Sequence, residues 1–250
     1  MSLTPEQTSQ IIGSLDLTLL SDTCSAAEID ALCAKAKTPM GMVAAVCIPP
    51  AFVGRAKAAL KGTGIKIATV AAFPLGSGDP DELAALCERA KADGADEIDV
   101  VIPYQDILRG TSSSTRERVA LVRRSAPGLT VKAILETAAL KEAGLIRMAS
   151  TAAVESGAHF LKTSTGKHTS GGADLSAIDI MLRAMLRATG GIARVKPSGG
   201  ISTPEQAMAY QHLYRARTGM SPDAGRFRIG ASSLLDRLLG DTQSVSSSAY

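Results

Sequence analysis

Short runs of strand-forming residues recur along the chain at 14–18, 43–48, 66–71, 96–102, 130–135, 158–163, 192–196 and 226–230. Their starts step by 29, 23, 30, 34, 28, 34 and 34 residues, roughly one strand-plus-helix unit each. Between them lie segments with helix start signals. Ser25-Ala26-Ala27-Glu28 is a capping box, followed by Ile29, Leu32, Cys33 and Ala36 on one helical face. Asp79-Pro80-Asp81-Glu82 sets a cap before a first-turn proline, and Thr203-Pro204-Glu205-Gln206 repeats the device. Runs such as Val43-Ala44-Ala45-Val46-Cys47-Ile48 are apolar throughout instead of alternating. Strands covered on both faces read that way, as in a parallel sheet with helices outside. Eight such units in 250 residues predict an α/β protein, a single-domain (β/α)8 TIM barrel over 1–240. A doubly wound open sheet is the alternative, since periodicity does not show closure. The Ser-rich segment 241–250, ending in Tyr250, reads as a flexible tail.

Composition narrows the function classes. Hydrophobic residues make up 45% and charged residues 20%, which is globular and not disordered. A net charge of +3 with four Phe, four Tyr and no Trp argues against a nucleic-acid stacking surface. The longest uncharged apolar stretch, 38–54, is broken by Pro39, Pro49 and Pro50 and is too short for a convincing membrane span. The first residues show no basic and then apolar leader, and Cys24, Cys33, Cys47 and Cys87 form no C-x-x-C pair. The expectation is a soluble cytoplasmic protein with reduced thiols.

Several motifs fail on inspection. Gly166-Lys167 follows a strand, but Leu161 stands where a P-loop needs its first glycine and His168 where it needs a hydroxyl. Gly76-Ser77-Gly78 meets Asp81 in place of a third glycine. Gly230-Ala231-Ser232-Ser233 is half a nucleophile elbow with no histidine to serve it. His159, His168 and His212 have no metal-ligand spacing, so no metal and no cofactor is expected.

Two lysines stand out. Lys162 closes the apolar run 158–161, and Lys196 closes the run 192–195 in the same way. In a barrel, polar residues at strand C-termini lie where chemistry sits. A lone lysine there snorkels to water as readily as it reacts. Two amines from adjacent strands would share one mouth, each lowering the other's pKa and freeing an amine to attack a carbonyl. Asp99 and Asp16, also near strand ends, offer carboxylates for proton transfer, although a single strand-end Asp also serves as a loop cap. Gly166-Lys167, Gly199-Gly200 and Ser232-Ser233 follow the sixth, seventh and eighth runs. Loops there commonly hold phosphate, while any one glycine pair reads equally as a turn or a helix cap.

Phe160-Leu161-Lys162-Thr163-Ser164-Thr165-Gly166-Lys167 resembles the Schiff-base segment of the deoxyribose-phosphate aldolases, which are class I aldolases. Asp16-Leu17-Thr18, Cys47-Ile48-Pro49, 96–101, Lys196-Pro197-Ser198-Gly199-Gly200, 230–235 and the terminal Tyr250 share the resemblance, in order, over nearly the whole chain. Ser198 departs from it, standing where many members have alanine. The resemblance implies that Lys162 forms an imine with an aldehyde, that Lys196 tunes it, and that Asp99 is the acid/base group acting through water. It further implies that Asp16 orients Lys196, that Thr18 and Cys47 line the pocket, and that Tyr250 assists proton transfer at the enamine carbon. Cys47, unassisted, reads as a small buried hydrophobe. Thr165, Gly166, Lys167, Gly199, Gly200, Ser232 and Ser233 would then hold the phosphate of a phosphosugar, with acetaldehyde the second small molecule. A homodimer is also implied. Another lysine-dependent barrel aldolase, or a non-catalytic phosphosugar-binding barrel, remains the alternative.

Overall fold

A computed structural model describes residues 3–247, with side chains from 3 to 240. Eight strands carry the fold: β1 Leu15–Thr18, β2 Ala45–Ile48, β3 Lys66–Ala71, β4 Glu97–Val101, β5 Thr130–Ile134, β6 Phe160–Lys162, β7 Val195–Lys196 and β8 Ile229–Ala231. All pair in parallel, in the order β8-β1-β2-β3-β4-β5-β6-β7. The ends of that row meet, because Val195 bridges to Phe227 and Ser198 to Gly230. Along this seam the Val195 N–H donates to Arg226 O at 3.0 Å and the Gly230 N–H to Pro197 O at 2.9 Å. The fold is a (β/α)8 barrel. A doubly wound sheet would reverse its strand order partway, and this row never does.

The predicted caps form. Ser25 accepts from the Glu28 N–H at the head of the helix Ala26–Lys35, and Asp79 accepts from the Asp81 and Glu82 N–H groups above Pro80–Ala92. Strand ends are trimmed relative to the sequence pattern. The run 192–196 shortens to Val195–Lys196 because Thr189 Oγ1 ties back the Ile192 N–H at 3.0 Å, just past the helix Leu175–Thr189. A small antiparallel hairpin, Lys37–Thr38 with Gly41–Met42, was not legible in the sequence, since neither piece carries an apolar run. The final helix, Leu234–Ser247, enters the segment read as a tail, and Tyr250 lies outside the described residues. Among the described residues no helix is long and apolar enough to cross a membrane.

Most of the apolar core lies between the outer faces of the strands and the helices, built from residues such as Leu17, Ile98, Val100, Val131 and Leu161. Inside the barrel the two faces of the wall differ. On β2 and β3, Ala45, Cys47, Ala68 and Val70 form a small apolar cluster of their own. The opposite wall carries buried charged side chains. Register places Asp99 beside Lys132 and Lys162 beside Lys196, so adjacent strands deliver opposite or matching charges at one level.

Candidate active site

Period-two alternation along a strand sends every second side chain inward. On β4 this pairs Glu97 with Asp99. Asp16 on β1, Lys132 on β5, Lys162 on β6, Lys196 on β7 and Arg228 just before β8 complete an inward network, and none of the seven is more than 5% exposed. Asp99 is the hub. Its Oδ2 accepts from Lys162 Nζ at 2.9 Å and from Lys196 Nζ at 2.8 Å, and its Oδ1 accepts from Lys132 Nζ at 2.7 Å. Lys196 also ion-pairs with Asp16 Oδ2 at 2.5 Å. Below them Lys132 binds Glu97, and Arg228 clamps Asp16 Oδ1 at 2.6 Å and Glu97 Oε1 at 2.8 Å. The Arg228 guanidinium lies 5.9 Å from the Phe160 ring centre, within cation–π range. Cys47 Sγ is 4.0 Å from Asp99 Oδ2, and burial pushes its thiol pKa up, so it sits as a protonated, buried thiol.

Charge counting separates the amines. Asp16, Glu97 and Asp99 face Lys132, Lys196, Arg228 and Lys162, so one cation has no carboxylate to balance it. Burial pushes the Lys162 amine below the ordinary lysine value; Asp99 opposes this and the Lys196 ammonium adds to it. Burial acts against Lys196 as well, but Asp16 and Asp99 outweigh it and hold that amine above the ordinary value. Lys132 is held up the same way by Asp99, Glu97 and Asp16. Burial would raise the carboxyls of Asp16 and Asp99, yet the surrounding cations hold both below the usual range. The expectation that Lys162 and Lys196 each lower the other is therefore corrected. The depression is one-sided, because only Lys196 has a second carboxylate of its own. Snorkelling is also excluded for Lys162, which is 2% exposed and tied to Asp99.

Above the network a cavity of about 430 Å3 opens at the C-terminal ends of the strands. Thr18, Lys162, Thr165, Gly166, Lys167, Gly199, Gly200, Ser232 and Ser233 all line it. Lys132, Lys196 and Asp99 lie beneath, off its wall, so of the buried lysines Lys162 meets the opening. The loops after β6 and β7 are stitched together, with the Ala173 N–H donating to Gly199 O at 3.0 Å. A Cβ on Gly172 would stand 2.1 Å from that oxygen, and Gly199 has φ +90°, so both positions require glycine. Ser232 and Ser233 directly precede the helix Leu234–Ser247. An amine held below the ordinary lysine value at the floor of a cavity ringed by glycines, hydroxyls and Lys167 suits covalent chemistry on a small anionic carbonyl compound.

Residues 11–239 match the DeoC/LacD family aldolase model. The chain belongs to that aldolase family. Its relatives include a curated deoxyribose-phosphate aldolase of Agrobacterium fabrum, 46% identical over 230 residues that cover 90% of this chain and 87% of that protein. A crystal structure from Coccidioides immitis, provisionally named deoxyribose-phosphate aldolase, is 30% identical with a TM-score of 0.81, covering 97% of this chain and 88% of that one. The deoxyribose phosphate aldolase of Aeropyrum pernix, described as tetrameric, is 23% identical with a TM-score of 0.76 over 96% and 97% of the two chains, a likeness of fold.

In this aldolase the sequence pattern brings together Asp16, Thr18, Cys47, Asp99, Lys162, Lys196 and the loop residues, leaving Tyr250 outside the described residues. It missed Lys132, Glu97 and Arg228. None of the three ends an apolar run, which is the signal that marked Lys162 and Lys196.

Proposed function

We propose that this aldolase reversibly cleaves 2-deoxy-D-ribose 5-phosphate to D-glyceraldehyde 3-phosphate and acetaldehyde through an imine on Lys162. The observation that carries the reading is the asymmetry of the buried lysines: Lys162 lies below the ordinary lysine value and faces the cavity, while Lys132 and Lys196 lie above it and do not. The name of the Agrobacterium fabrum relative supports the choice of substrate. A non-catalytic phosphosugar binder would have no use for a buried amine left without a balancing carboxylate.

The neutral Lys162 amine adds to C1 of the open-chain sugar. Loss of the C1 oxygen as water, with the proton supplied through Asp99 and Lys196, gives the protonated imine. Removal of the C3 hydroxyl proton by a water held at Asp99 then lets the C2–C3 bond break. C3 becomes the aldehyde carbon of glyceraldehyde 3-phosphate, and the bonding electrons pass into the iminium as an enamine. Protonation at C2 and hydrolysis release acetaldehyde and restore Lys162. The depressed pKa of Asp99 makes it a conduit, since a proton it accepts moves on at once to a more basic neighbour. The loops after β6, β7 and β8 hold the phosphate and Thr18 bounds the sugar end, while Cys47, expected to line the pocket, is buried beside Asp99 and off the cavity wall. The cytoplasm is the compartment that fits unpaired cysteines. The homodimer expected from the resemblance is tested by light scattering.

Borohydride reduction in acetaldehyde, followed by peptide mass mapping, tests the reading. An ethyl group on Lys162, with phosphosugar cleavage in the untreated enzyme, supports it; label on Lys196 or Lys167 with Lys162 unmodified overturns it. Tyr250→Phe bears on the terminal residue. It should slow deuterium exchange into the acetaldehyde methyl group by ~100-fold, the low end for a lost acid/base group, while trapping at Lys162 continues. Full-rate exchange would remove Tyr250 from the mechanism.

A further inference from the structure

Glu136 follows β5 and takes no part in the chemistry above. It is fully buried, and its backbone adopts φ 55° and ψ 55°, a left-handed conformation that residues other than glycine rarely take. Its Oε2 accepts from the Thr165 N–H at 3.2 Å and from the Thr165 hydroxyl at 2.6 Å. Thr165 Oγ1 in turn accepts from the Lys167 N–H at 3.0 Å. One residue on, the Thr137 N–H donates to Thr163 O at 3.0 Å, so this turn is fastened to the end of β6 on both sides. The other carboxylate oxygen, Oε1, is buried without a protein partner.

A buried carboxylate beside a loop that receives an anion is electrostatically adverse, and an unpartnered oxygen adds a desolvation cost. Its use is therefore as an acceptor. With its proton committed to Glu136, the Thr165 hydroxyl presents a lone pair to the Lys167 N–H, which fixes the 165–167 turn at the edge of the cavity. We propose that Glu136 is the positioning residue of this anion-binding turn, setting affinity for the substrate phosphate without touching it. The proposal rests on the phosphosugar reading above.

The test compares 2-deoxyribose 5-phosphate with unphosphorylated 2-deoxyribose in two variants of the full chain. Glu136→Asp keeps the charge but withdraws the acceptor by one methylene; Glu136→Gln keeps the acceptor and removes the charge. Glu136→Asp should raise KM for the phosphorylated sugar about tenfold and change kcat/KM on the unphosphorylated sugar by less than about twofold. Glu136→Gln should stay within about threefold of wild type on both. An unchanged KM in Glu136→Asp, an equal loss on both sugars, or a Glu136→Gln defect as large as that of Glu136→Asp overturns the proposal. Should Glu136→Asp not fold, Thr165→Val, which lacks the connecting hydroxyl, must reproduce its KM effect, and an unchanged KM there overturns the proposal. Failure of the wild type to cleave the phosphorylated sugar would instead defeat the reading on which it rests.

Discussion

Lys162→Met is expected to abolish cleavage and acetaldehyde trapping while leaving the protein at least as stable as wild type. On the proposed imine mechanism, loss of Lys162 removes the covalent nucleophile and its electron sink, which lowers kcat/KM by ~10^4-fold or more. Stability moves the other way. The folded-state pKa of Lys162 lies below the ordinary lysine value of ~10.4, so between the two values the unfolded chain binds more protons than the folded one. Stability of the wild type therefore rises with pH across that window, and at neutral pH the amine is a net cost. Methionine removes that cost and fills similar space with a flexible apolar chain. Asp99 keeps Lys196 at 2.8 Å and Lys132 at 2.7 Å, so no buried carboxylate is left unpaired. Urea unfolding at neutral and alkaline pH checks this: the variant should be equal or ahead at neutral pH, with the gap closing as pH rises. A variant clearly less stable at neutral pH would show that Lys162 is a structural counter-ion, and that the charge count in the barrel is wrong.

The parts of the fold that were legible follow from spacing. Continuous apolar runs such as Ala45–Ile48 mark strands buried on both faces, and capped segments such as Pro80–Ala92 mark the helices that cover them. Closure was not legible, because the seam rests on pairs such as Ser198 with Gly230, set by barrel geometry and not by local pattern. Within the site, Lys162 and Lys196 could be found because each ends an apolar run. Lys132 sits inside its strand, where Thr130-Val131-Lys132-Ala133-Ile134 reads as one tolerated charge in a buried segment. Only the register that sets it beside Asp99 explains its presence. The opposite pKa shifts of Lys162 and Lys196 were beyond the sequence for the same reason: they depend on whether Asp16, from the far end of the chain order, reaches one amine and not the other. Glu136 gave no signal, since a glutamate after a strand is ordinarily solvated.

Lys132→Met carries the opposite expectation from the same substitution. Lys132 ion-pairs with Glu97, with Asp99 at 2.7 Å and with Asp16 at 3.5 Å, and it is fully buried. Its removal leaves three buried carboxylates facing Lys196 and Arg228, and breaking a buried pair from one side costs ~3–5 kcal/mol. The amine is held above the ordinary lysine value, so its contribution is present below ~10.4 and is lost only as pH rises through the higher folded value. On the acid side Asp16 and Asp99 are held below the usual carboxylate range, so their share is present above ~3.9 and fades as pH falls further. The deficit of the variant should therefore be nearly constant from mildly acidic to mildly alkaline pH. Activity should suffer by a separate route. With one cation gone, a protonated Lys162 restores the balance of three against three, so its pKa rises and less of the amine is neutral at any given pH. The acidic limb of the kcat/KM profile should move to higher pH, and raising the pH should recover part of the activity that Lys162→Met never regains. Urea midpoints across pH and the pH–rate profile measure the two effects independently. A Lys132→Met protein with a wild-type midpoint and a wild-type profile would mean that Lys132 is a passive filler, and that something other than charge balance selects Lys162.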